Sequence, residues 1–194
     1  MTRTLLTLCL AASACHGLQN DADARYAYLG LDDGVQRALG LGLQGFSLAS
    51  SANIDAQQAD GDAGGTMVVT GQVDQGASDN KELRLDVALV DYQDAVPDDN
   101  DDAILTVYNT DTTAPLALDL SLRNIPDGTL TGTLTGLAIA SDDLAGDVVF
   151  DLALAGAIEA DPDVTDGVRM VAGSTHVTGT ATSDYGTYDV DVTR

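Results

Sequence analysis

Residues 116–140 read LALDLSLRNIPDGTLTGTLTGLAIA, and this stretch decides the fold. Leu116, Leu118, Leu120 and Leu122 alternate with Ala117, Asp119 and Ser121. Successive side chains on a strand point to opposite faces, so a period of two gathers the leucines on one dry face. Asp119 and Ser121 are left on the wet one. Pro126-Asp127-Gly128 then breaks the run. Proline presets its own φ and glycine supplies positive φ, which is turn chemistry. Leu130 and Leu134 resume the alternation beyond it. The stretch predicts an antiparallel hairpin, buried on one side and wet on the other.

The same period recurs on both sides of this hairpin. Leu83, Leu85, Val87 and Leu89 alternate with Arg84, Asp86 and Ala88. Val148, Phe150, Leu152, Leu154 and Ile158 share a face, as do Tyr188, Val190 and Val192. Turn residues at 141–146 and 183–186 separate these runs. Strands are predicted at 66–74, 82–92, 103–109, 116–125, 129–140, 147–159, 168–182 and 185–193. The expectation is an all-β domain, an antiparallel meander of about eight strands forming a small barrel or a two-sheet sandwich. Thr70-Gly71, Thr131-Gly132, Thr135-Gly136 and Thr178-Gly179 recur within the strands. Such glycines allow a strand to bulge or coil, or leave bare backbone for a ligand.

Upstream the pattern weakens. Residues 53–65, NIDAQQADGDAGG, read as a loop by composition. Val35, Leu39, Leu43 and Phe46 fall at helical spacing, and Asp32 or Asp33 can cap a start. A short helix is therefore predicted within 33–50. Gly40, Gly42 and Gly45 oppose it, each by up to about 1 kcal/mol relative to Ala. Residues 32–194 then form a single β-domain, preceded by a polar tether.

Composition limits the functions open to the chain. Its 194 residues carry a net charge of −23, with 29 Asp, 2 Glu and only 8 Lys and Arg. That balance excludes a face that neutralises nucleic-acid phosphate, and 4 % aromatic content leaves no base-stacking platform. Asp competes for backbone hydrogen bonds and favours caps and turns, so an Asp surface points to strands and loops.

Residues 1–15, MTRTLLTLCLAASAC, order a basic residue (Arg3), an apolar run from Leu5 and small residues Ala12-Ser13-Ala14. This is the arrangement of a secretory signal. The run is too short for a bilayer, which needs roughly 20 apolar residues. Ala12-Ser13-Ala14-Cys15 resembles the lipobox of bacterial lipoproteins, with Ala12 where that family prefers Leu. The resemblance implies a signal peptide at 1–14 and lipidation of Cys15. The tether would then be 15–31, on a membrane-anchored envelope protein, with the outer membrane as the expected site. The same small residues also suit ordinary cleavage after Ala14 and a secreted, soluble chain. Removing 1–14 discards Cys9 and leaves Cys15 as the remaining cysteine. A body this acidic is expected to stand off anionic lipid.

Sites for chemistry are sparse. His16 falls in the tether and His176 on a predicted strand, with no elbow or zinc motif around either. Asp98, Asn100 and Asp102 occupy the first, third and fifth places of a calcium loop. Ala103 and Asn109 stand where an EF-hand requires Gly and Glu. The loop Asp161-Pro162-Asp163-Val164-Thr165-Asp166-Gly167 offers a second acidic spacing. Tyr185 and Tyr188 flank a turn, as packing residues or as contacts to carbohydrate. The reading is a non-enzymatic binding or structural module on a lipid anchor, its protein or carbohydrate partner unspecified. The alternatives are a hydrolase using Asp residues and a calcium-stabilised adhesion module.

Overall fold

A computed structural model describes residues 21–97 and 102–194. The first element is the 28-residue helix α1, Asp21–Leu48. The strands follow in chain order: β1 Asn53–Asp60, β2 Gly64–Val73, β3 Lys81–Gln93, β4 Ala95–Pro97, β5 Ala103–Asn109 and β6 Leu116–Arg123. Then come β7 Gly128–Asp142, β8 Gly146–Ala160, β9 Val168–Met170, β10 His176–Ser183 and β11 Gly186–Thr193.

The strands form one antiparallel sheet of eleven, in the order β1-β2-β3-β5-β7-β8-β10-β11. β6 also pairs with both β3 and β7. β5 and β6 therefore share one column between the same neighbours, β5 beside Tyr92 and β6 beside 81–87. The column makes the sheet an eight-column meander. It is one continuous sheet, so the antiparallel meander of about eight strands is borne out. Both ends of the sheet, β1 and β11, pack on α1. A sheet whose two ends meet the same helix must curl around it.

Alternation works as read. Leu83, Leu85, Val87 and Leu89 of β3 face inward with Leu116, Leu118, Leu120 and Leu122 of β6. They join one core with Leu130, Leu134, Phe150, Leu152 and Leu154. The inward glycines of the Thr-Gly pairs sit opposite large side chains: Gly71 faces Leu85, Gly136 faces Phe150 and Gly179 faces Leu152. A Cβ at Gly71 would lie 2.2 Å from the Arg84 carbonyl, and one at Gly179 2.1 Å from that of Asp151. The glycines thus let neighbouring backbones close up where the sheet bends.

Three expectations are corrected. Residues 53–60, read as loop, form β1, whose alternation Gln57, Gln58, Ala59 and Asp60 carries almost no hydrophobic signal because it is an end strand. The predicted strand 168–182 is two strands, with Ser174 turning the chain through its hydroxyl to Val171 O at 2.7 Å. The helix is longer than 33–50, and from Asp21 it occupies the stretch read as tether. Ala24, Tyr26, Ala27, Tyr28, Leu31, Val35, Ala38 and Leu39 are all buried. Only a narrow stripe through Arg25, Asp33, Gly40, Gln44 and Leu48 is exposed. A helix buried on nearly every side shows no polar–apolar period, which hides it from sequence reading.

Glycine lets this helix approach the sheet. A Cβ at Gly30 would stand 2.4 Å from the Tyr108 hydroxyl, which donates to Ala27 O at 2.7 Å. At Gly40 nothing lies within 4 Å. Gly40→Ala should therefore raise stability by up to about 1 kcal/mol, the propensity difference alone. Gly30→Ala should lower it by about 2 kcal/mol through overpacking. Urea melts of both variants measure this, and a matching sign would contradict the close approach.

Burial also holds the hydroxyls of Tyr28, Tyr92 and Tyr108 protonated well above their ordinary value of 10.0. The unfolded chain releases those protons first, so their contribution is intact below about pH 10 and falls as pH rises beyond it. Absorbance at 295 nm should show these three ionising together with loss of the fold. Gradual ionisation of all six tyrosines near pH 10 in a still-folded chain would contradict it.

Candidate functional site

The interior is occupied. Between α1 and the sheet there remains a cavity of about 10 Å³, lined by Leu31, Val35, Met67, Leu89, Leu134 and Phe150. Apolar walls and that size leave it dry. Larger spaces lie at the surface: one of about 300 Å³ where the end of α1, Phe46 and Ser47, meets Val73–Gly76 and Asp166, and two on the outer face of the sheet. One groove of about 540 Å³ runs over β3, β6 and β7, and one of about 520 Å³ over β1, β2, β3 and β6. They share Arg84 and Asp119, which are register partners across β3 and β6. Gly132 lines the first and Gly71 the second.

The grooves present paired donors and acceptors. Arg123 donates to Glu82, and Ser121 Oγ donates to the same Glu82 oxygen at 3.1 Å. The Arg123 hydrogen bond is the main cause that holds the Glu82 carboxyl below its usual range. Glu82 is therefore a fixed anion at neutral pH and a poor base for Ser121. Arg84 faces Asp74 at 3.7 Å, and Asn53 and Gln72 meet at 3.4 Å. Such a surface can hydrogen-bond a polar partner along its length.

Two polar clusters lie where α1 meets the sheet. Tyr28 donates to Asp32 Oδ1 at 2.7 Å, and the guanidinium of Arg194 faces Oδ2. In the second, Asp94 is only 4 % exposed. It accepts from Tyr92 OH at 2.6 Å and from the Asp62 N–H at 2.7 Å. Arg37 reaches Asp94 at 3.4 Å, Asp62 at 2.8 Å and the Tyr92 hydroxyl. Burial alone would lower the Arg37 pKa, but Tyr92, Asp94 and Asp62 together raise it. These groups satisfy one another and tie the helix to β3 and to the β1–β2 turn. Sequence reading missed both clusters, since neither Asp32 nor Asp94 stands in a motif.

The residues singled out from sequence are dispersed. Cys15, Asp98 and Asn100 lie outside the described residues, and Asp102 directly precedes β5. Among the described residues no group of three or more His, Cys, Asp or Glu could hold a metal ion. The 161–167 loop closes on itself: Asp161 Oδ1 accepts Asp163 N–H at 3.0 Å, and Asp161 N–H donates to Gly167 O at 2.9 Å. His176 Nε2 meets Asp191 Oδ1 at 2.7 Å on the exposed face of β10 and β11. Tyr188 stacks on Tyr28 with ring centroids 5.6 Å apart, and Tyr185 donates to Ala145 O at 3.1 Å. Both tyrosines thus serve packing. No described helix is long and apolar enough to cross a membrane.

Asp94→Ala leaves Arg37, the Tyr92 hydroxyl and the Asp62 N–H short of a buried acceptor, and should cost about 3 kcal/mol. Asp62→Ala removes a carboxylate that is 70 % exposed, and should cost less than about 1 kcal/mol. Denaturant midpoints of the two variants test the difference. Equal losses would mean that Asp94 does not organise the cluster.

No protein-family model matches the chain, and no curated protein or solved structure is significantly similar to it.

Proposed function

We propose that this chain is an envelope lipoprotein, anchored through acylated Cys15, whose β-domain is a non-enzymatic contact module. The outer membrane is the membrane proposed. The observation that carries the contact role is the filling of the sheet's interior by α1, which leaves a cavity of only about 10 Å³. A partner is then met at the surface of the domain. There the adjoining grooves over β1, β2, β3, β6 and β7 offer amide, hydroxyl, carboxylate and guanidinium groups. The net charge of −23 favours a neutral or basic partner over a polyanion. Ala12-Ser13-Ala14-Cys15 supports the anchor.

Metabolic labelling with an alkyne fatty acid in a bacterial host tests the anchor. The wild-type chain should carry label and sediment with membranes. Cys15→Ala should lose the label and leave the membrane fraction. A soluble, unlabelled wild-type protein beginning after Ala14 would overturn the reading.

A further inference from the structure

Strand β11 is hydrogen-bonded on one side. Among the described residues its neighbour in the sheet is β10 alone. The parity of that ladder follows from the pair just beyond it. Thr175 N–H donates to Arg194 O at 3.0 Å, and Arg194 N–H to Thr175 O at 2.8 Å. In an antiparallel ladder such reciprocal pairs recur at every second residue. Val192, Val190, Tyr188 and Gly186 therefore turn their backbone groups toward β10. Thr187, Asp189, Asp191 and Thr193 turn theirs the other way, to an edge that no described strand pairs. These residues are all exposed. The register runs unbroken from Gly186 to Thr193. β1, at the other end of the sheet, is interrupted by a bulge between Ile54 and Gln57. A bulge twists an edge out of reach of a further strand, and β11 has none.

The side chains of β11 define what its edge accepts. On the inner face, burial falls off toward the edge. Val177 and Ala181 of β10 are 0 and 2 % exposed, whereas Tyr188 and Val192 pack on the same core and stay only partly covered. A strand beside β11 would cover them with apolar side chains at alternate positions. On the outer face stand Asp189 and Asp191, the second meeting His176 Nε2 at 2.7 Å. Cations suit the positions directly opposite these carboxylates. A second copy of β11 does not fit. Full antiparallel overlap would set Asp189 against Asp191 twice over, like charge opposite like. The net charge of −23 draws a basic chain from a distance.

We propose that the free edge of β11 takes up an extended basic peptide segment as an added antiparallel strand. Lys or Arg side chains lie opposite Asp189 and Asp191, and the apolar residues between them cover Tyr188 and Val192. The edge is separate from the grooves over β3 and β6, and the inference holds with or without the lipid anchor.

Amide exchange followed by NMR on the full-length chain tests this, with the synthetic peptide Lys-Val-Lys-Val-Lys-Val-Lys as the probe. In the free chain the amides of Tyr188, Val190 and Val192 should exchange slowly, and those of Thr187, Asp189, Asp191 and Thr193 fast. Saturating peptide should slow the second set by at least about tenfold. Asp189→Pro removes an N–H that points to the free edge and none from the β10 ladder. It should keep the slow amides and lose the protection conferred by peptide. N-methylation of the peptide's lysines, whose N–H groups face β11 in this pairing, should abolish the effect on the wild-type chain, and N-methylation of its valines should not. The methylated peptides make the test independent of how well the proline variant folds. Slow exchange of the second set without peptide would show the edge already covered, and would overturn the proposal. Protection that survives lysine N-methylation, or equal protection by Glu-Val-Glu-Val-Glu-Val-Glu, would overturn it as well.

Discussion

The structure depends on one packing arrangement: a helix sunk into the open side of a curled sheet. Eight columns of strand cannot close tightly over their own leucines while β1 and β11 remain unpaired with each other in the order of the sheet. Helix α1 fills that gap and supplies the missing wall, with Leu31, Val35, Leu39 and Leu43 facing Leu85, Leu89, Leu120 and their neighbours in one core. The cost of drawing a helix so close is met by glycine. Gly34 lies against the Tyr92 ring and Gly42 against Leu85. Each of these glycines weakens the isolated helix by up to about 1 kcal/mol relative to Ala. Burial of the flanking apolar groups contributes more, at roughly 1.5–3 kcal/mol for a fully buried Leu or Val.

Apolar packing alone would not fix how the helix lies in the gap. The two polar clusters add direction. Asp32 engages Tyr28 one turn earlier and Arg194 beyond β11, and Arg37 engages Asp94 beyond β3. One cluster therefore ties α1 toward each side of the seam. Buried charges of this kind are weak sources of net stability, because desolvation offsets their attraction. Their geometric demand is strong, however. A helix shifted by one residue would leave a buried carboxylate without its partners.

What could be read from sequence follows from this division. The sheet was legible because one face is dry and the other wet, and that contrast is what period-two alternation records. β7 and β8 lie within a residue or two of their expected bounds. The helix was half legible, since its first stretch, 22–31, buries Ala24, Tyr26, Ala27, Tyr28 and Leu31 around it and exposes only Arg25. β1 was illegible because an end strand buries little beyond Ile54. The grooves were invisible for another reason. They arise where inward glycines on β2 and β7 let the backbone sink, and Gly71 and Gly132 announce the bend but not what surrounds it. Arg37 and Asp94 are 57 positions apart and meet only because β3 ends beside the middle of α1.

The preference for Asp over Glu also has a structural cause. A carboxylate one methylene shorter reaches backbone N–H groups in a turn that a Glu would overshoot. Asp94 accepts from Asp62, Asp111 from Thr113, Asp127 from Ala160, Asp143 from Leu105 and Asp161 from Asp163. The hydrogen bond from the Thr113 backbone holds the Asp111 carboxyl below its usual range. Among the described residues, the non-glycine positions with positive φ are Asp91, Asn124, Asp142 and Asp166. Those side chains tolerate the left-handed region best after glycine. Asp111 and Asp161 thus close their own turns, while Asp94, Asp127 and Asp143 brace a turn or strand end against a distant segment. A helical protein of equal charge would carry Glu along its exposed helix faces. Among the described residues there is a single helix, and it is buried, so several of the Asp side chains that add to the negative surface also hold the turns of the meander.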